Sequence, residues 1–143
     1  MQRVLLRSLV AMTASLSLAA VTAGPSVAQP TATAELSPLN ATLIARGAGV
    51  RLGAVYSCST TTKSTYLYVR LTERIPGYHV AQGSASSDTL KCDGLKHTFK
   101  LSVVSENGYA FRRGVAFANG TLTACDAVPA CTTDAFSGTT FTW

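Results

Sequence analysis

The sequence predicts an all-β chain, a single antiparallel immunoglobulin-like β-sandwich of about 7–8 strands, preceded by a signal-peptide helix. Three observations carry this. Beyond residue 40, apolar and polar residues alternate with period two rather than 3.6. Glycines paired with Asn, Asp or Pro punctuate the runs. Four cysteines, an even set, follow a leader of secretory character. At 143 residues, 47% hydrophobic and 13% charged, the chain has room for one ordinary domain and is too apolar for disorder throughout.

Residues 1–28 read as the leader. Arg3 and Arg7 give the positive start and Leu9–Ala23 the apolar stretch. Ser26 and Ala28 stand at the −3 and −1 positions of a cut after Ala28. The uninterrupted apolar part is short of the ~20 residues a membrane span requires. The mature protein is therefore expected to be secreted, with no membrane attachment. Cleavage removes two arginines and lowers the net charge from +5 to +3. The only adjacent basic pair, Arg112-Arg113, would point to opposite faces of a strand, so no nucleic-acid partner is expected.

Residues 29–39, rich in Thr, Ala and Pro, read as a mobile lead-in, and 40–143 as the sandwich domain. Ala41–Arg46 is a first strand, and Gly47-Ala48-Gly49 turns it into the next. Val50–Cys58 then sets Val50, Leu52, Ala54, Tyr56 and Cys58 on one face. Thr65–Thr72 sets Leu67, Val69 and Leu71 inward and Tyr66, Tyr68 and Arg70 outward, and Ile75-Pro76-Gly77 ends that run. Asp93-Gly94 precedes His97–Val103, which turns Phe99, Leu101 and Val103 inward. Asn107-Gly108 precedes Phe111–Ala118, with Phe111, Val115 and Phe117 on one face and Asn119-Gly120 as the following turn. The tail Phe136–Trp143, with Phe141 and Trp143 on one parity, adds a last strand.

Outside the cytoplasm, Cys58, Cys92, Cys125 and Cys131 are expected as disulfides, with three possible connectivities. Spacing favours Cys58–Cys92 and Cys125–Cys131, since the second pair encloses only five residues. Chain entropy gives roughly 4 kcal/mol for the longer loop and roughly 2.4 for the shorter. The spacings, including those of His79 and His97, match no zinc site, and no metal or other cofactor is expected.

At this point Leu39–Thr123 resembles a group of small secreted actinobacterial domains of unknown function. The matching residues are Tyr56-Ser57-Cys58, Cys92-Asp93-Gly94-Leu95-Lys96-His97-Thr98-Phe99 and Gly114-Val115-Ala116. The resemblance implies a fold and a location without an activity. A weaker likeness, through the late pair Cys125–Cys131, is to the neocarzinostatin family of secreted chromophore-binding sandwiches. That family's other disulfide closes a short loop, whereas Cys58 and Cys92 lie 34 positions apart, so no binding residue is transferred.

No G-x-S-x-G elbow or other catalytic signature occurs, and no enzyme is expected. Asp93 and His97 flank a turn, where a local hydrogen bond is the ordinary reading. The best binding feature is the stripe Tyr66/Tyr68/Arg70, residue types favoured at recognition hot spots. The sequence thus points to a secreted, monomeric, non-catalytic module whose partner is an extracellular protein, glycan or small molecule. Two alternatives remain: a protease inhibitor acting through the Cys125–Cys131 loop, with Ala127 or Val128 as specificity residue, and a small-molecule carrier of neocarzinostatin type.

Overall fold

The computed structural model describes residues 32–127 and 130–143. The leader and its cleavage site after Ala28 lie outside the described residues. Seven strands follow in chain order: β1 (Ala34–Ile44), β2 (Gly49–Cys58), β3 (Ser64–Ile75), β4 (His79–Ser87), β5 (His97–Ser105), β6 (Val115–Cys125) and β7 (Cys131–Thr142). A short 3-10 turn, Ala45–Gly47, joins β1 to β2. All pairings are antiparallel, in the order β1-β2-β5-β4-β3-β6-β7.

Two separate sheets were expected, but the ladders form one nearly closed sheet. Its narrowest junction is β4–β5, where only Gly83↔Ser105 and Ser84↔Val104 pair. Side chains extend that junction. Glu106 accepts from the Ser84 amide at 2.9 Å, and Asn107 Nδ2 donates to the Val80 carbonyl at 2.6 Å. At the other margin β1 and β7 touch, and the Leu36 amide donates to Asp134 Oδ2 at 2.7 Å. That carboxylate satisfies an edge amide that has no ladder partner.

The interior is filled by side chains. Val50, Leu52, Ala54, Leu67, Val69, Leu71, Val103 and Leu122 are fully buried and share one cluster. The inward sets expected for β2 and β3 are the observed ones. Beneath the barrel, Phe111 is 1% exposed and plugs the end. Its amide donates to the Gly47 carbonyl at 2.8 Å. Gly47 has φ +91°, and a Cβ there would run into the Phe111 carbonyl, so the turn before β2 demands glycine.

Three expectations need correction. The lead-in 29–39 is already strand from Ala34 onward, because β2 pairs with it from Ala34↔Cys58 and buries Leu36. Asn119-Gly120 is not a turn. It lies inside β6 at an irregularity in the β6–β7 register, where Asn119 Oδ1 accepts from the Gly138 amide at 2.9 Å. Phe111, Val115 and Phe117 do not share an inward face. Phe111 precedes the strand, while Val115 and Phe117 are 48% and 49% exposed. The inward residues of β6 are Ala116, Ala118, Gly120, Leu122 and Ala124. Their small size leaves room for the Phe136 ring, which sits where a Cβ on Gly120 would be.

Candidate functional site

The outer surface of β4-β3-β6-β7 carries the sequence-predicted stripe. Along β3, alternation sends Leu67, Val69 and Leu71 into the core and leaves Tyr66, Tyr68 and Arg70 outside. Tyr66 is 51% exposed, Tyr68 is half-buried and Arg70 is exposed. The register places Thr123 beside Tyr66, Thr121 beside Tyr68 and Asn119 beside Arg70 on β6. On the other flank, Ser86 pairs with Tyr68 and Ser84 with Arg70. Two tyrosines and a guanidinium thus stand in a row between columns of short hydrogen-bonding side chains.

The stripe is longer than the sequence suggested. Arg74 is also exposed and continues the β3 row, and Phe117 stands opposite Thr72. Arg74 was missed because the run was ended at Thr72 whereas β3 continues to Ile75, and Phe117 because the parity of β6 was read from its largest side chains. The small-residue alternation Ala116, Ala118, Gly120 would have given the right one. Among the described residues, no carboxylate lies within ion-pair range of Arg70 or Arg74.

A second cluster surrounds the Cys58–Cys92 disulfide. Asp93 Oδ1 accepts from His97 Nε2 at 2.7 Å and from the Leu95 amide at 3.0 Å, and Lys91 Nζ lies 2.8 Å from Asp93 Oδ2. The Lys91 ammonium, then His97, then the Leu95 amide hold the Asp93 carboxyl well below the usual carboxylate range. The same contact raises the Lys91 ammonium above its ordinary value. Tyr56 ties the cluster to the sheet, its Oη accepting from the Lys91 amide at 3.1 Å and its ring meeting Phe99 edge-on. Both oxygens of Asp93 are thus engaged, and their contacts fasten the turn that leads into β5.

The Cys125–Cys131 disulfide closes the β6–β7 hairpin, with the two residues directly paired. Asp126 and Ala130 bond across its base, Asp126 N to Ala130 O at 3.1 Å. Ala127 is exposed there, and Val128 lies outside the described residues. Nearby, a cleft of about 270 Å³ is lined by Ala32, Ala130, Cys131 and Thr132. Another of about 160 Å³ lies by Lys63, Thr65, Asp88 and Cys92, and a third of about 280 Å³ by Ala48, Val104 and Ala110. Each is smaller than the roughly 300 Å³ at which ligand sites begin.

Glu73, on β3, is the one charged side chain buried among the described residues, at 2% exposure. Its Oε2 accepts from the Arg112 amide at 2.8 Å. The Arg112 carbonyl accepts in turn from Trp143 Nε1 at 2.5 Å. Burial pushes the Glu73 carboxyl up, while the Arg112 amide and guanidinium pull partly against it. Glu73 and Trp143 together pin the strap that carries Phe111.

Among the described residues no group of three His, Cys, Asp or Glu side chains gathers as a metal site would require, and no helix is long and apolar enough to cross a membrane. No family model, no curated protein and no solved structure matches this chain.

Proposed function

We propose that the protein is a secreted, non-catalytic, monomeric binding module that meets an extracellular partner on the outer face of β3 and β6. The observation that carries this is the row Tyr66, Tyr68, Arg70 and Arg74 on the outer face of β3, whose arginines are exposed and pair with no carboxylate among the described residues. Tyrosine rings on a rigid strand have few rotatable bonds to immobilise, so they lose little entropy on binding. Two disulfides support an extracellular setting. The finer architecture, an immunoglobulin-like sandwich of β1-β2-β5 over β4-β3-β6-β7, is supported by the two-pair β4–β5 junction. Clefts as small as those described favour surface recognition over an enclosed small-molecule carrier.

The test is the double variant Tyr66→Ala with Tyr68→Ala. It should fold as the parent does and lose the binding that the parent shows. Binding unchanged in the double variant would remove this face from the account. A second reading, protease inhibition through the Cys125–Cys131 loop, rests on the stapled hairpin tip. It requires that secreted proteases be blocked by the intact protein and not by a Cys125→Ala, Cys131→Ala variant.

A further inference from the structure

The face described above has a chemical bias that narrows its partner. The outward residues of β4, β3, β6 and β7 include Arg70 and Arg74 and no carboxylate. Arg113 is exposed at the bend just ahead of β6. Two acidic groups stand at the β4 margin: Glu106, whose carboxylate accepts from the Ser84 amide and hydroxyl, and the exposed Asp88 just past the end of β4. The acidic residues of the described chain are otherwise spent elsewhere. Glu73 is buried, Asp93 is tied to Lys91 and His97, and Asp134 faces the β1 edge. A ligand on this face therefore meets two guanidinium groups that no carboxylate pairs among the described residues, together with rings and hydroxyls, while the Glu106 and Asp88 carboxylates stand at its β4 margin.

We infer that the face takes an acidic polysaccharide, with Tyr66 and Tyr68 stacking on sugar rings and Arg70 and Arg74 pairing with carboxylates along the polymer; this rests on the reading of the face given above. Residues 70 and 74 are four apart on a straight strand, so their Cα atoms lie roughly 13 Å from one another, a spacing suited to successive charged units of a chain rather than one small anion. The flanking hydroxyls of Ser86 and Thr121 and the amide nitrogen of Asn119 supply short hydrogen-bond partners of the kind sugar hydroxyls need, while the Ser84 and Thr123 hydroxyls are held by Glu106 and Thr133. Single-stranded nucleic acid, which also stacks on tyrosine, would call for a denser cationic track than two strand arginines and Arg113.

The experiment is calorimetric titration of the full secreted protein with polygalacturonate and with the same polymer fully methyl-esterified, at low salt. The acid form should bind at least tenfold more tightly. Arg70→Gln with Arg74→Gln should abolish that preference, and Tyr66→Ala with Tyr68→Ala should weaken both polymers. Arg51→Gln with Lys100→Gln removes equal charge from the exposed side of β2 and β5 and should change nothing. Equal affinity for both polymers would overturn the acidic-glycan inference while leaving the face in place if the tyrosine variant still loses binding. Binding that survives both the tyrosine and the arginine variants would overturn the face itself. Equal losses from the control pair would reduce the effect to net charge and overturn the inference, as would tighter binding of single-stranded DNA or no binding of either polymer.

Discussion

At the scale of single residues, two carboxylates give stability opposite dependences on pH. The Asp93 carboxyl is held low by Lys91 and His97, so its contribution is present above its ordinary range and is lost as pH falls through it. Burial holds the Glu73 carboxyl high, so its contribution is present below about pH 4.5 and is lost as pH rises through the raised value. Thermal melts across this range should show both slopes. Asp93→Asn should flatten the acid limb, and Glu73→Gln, which can still accept from the Arg112 amide, should flatten the limb towards neutrality. A Glu73→Gln profile identical to the parent's would show that this carboxyl is not shifted. Glycine 47 is a third sensitive residue. With φ +91° and the Phe111 carbonyl in the way, Gly47→Ala should cost roughly 2–4 kcal/mol by denaturant unfolding.

At the scale of elements, the seam and the strap are the points under load. Asp134 satisfies the Leu36 amide where β1 meets β7, and Pro38 on the same strand has no amide to offer. Asp134→Ala should cost about 1–3 kcal/mol, the range for a hydrogen bond lost at a part-buried amide, and should increase association through the freed edge. Sedimentation of the variant checks the second effect. Phe111→Ala should cost about 3–5 kcal/mol, because its fully buried ring would leave a cavity in the core. The sole tryptophan, Trp143, bonds to the Arg112 carbonyl and so reports on that strap by fluorescence.

How far the sequence could be read depended on where each strand's filling came from. In β2 and β3 the inward residues are themselves large, so period-two alternation identified the strands and their faces. In β6 the inward residues are alanines, Leu122 and a glycine, and the volume is completed by Phe136 of β7. There local size pointed the wrong way, and half of the candidate face, Phe117 included, went unseen. β4 offered only Ala81, Gly83 and Ala85 inward, too little contrast to mark a strand. The stripe Tyr66/Tyr68/Arg70 was legible because its strand was, whereas its neighbours depended on a register that no single stretch of sequence contains.

At the scale of the whole molecule, a nearly closed sheet of seven strands carries a narrow junction at β4–β5 and an unladdered seam at β1–β7. The disulfides lie at the strand ends, with Cys58–Cys92 fixing the crossing before β5 and Cys125–Cys131 the last hairpin. Chain entropy assigns roughly 4 kcal/mol to the first and roughly 2.4 to the second, so reducing both should remove most of an ordinary domain's stability. That rigid frame is what lets an arginine-bearing face act as a platform. The most direct test is an NMR titration of the labelled protein with polygalacturonate, following every backbone amide. The account requires shifts concentrated on β3 and β6 around Tyr66, Tyr68, Arg70 and Phe117. Shifts centred on β2 and β5 or on the Cys125–Cys131 tip, or no shifts anywhere, would contradict it.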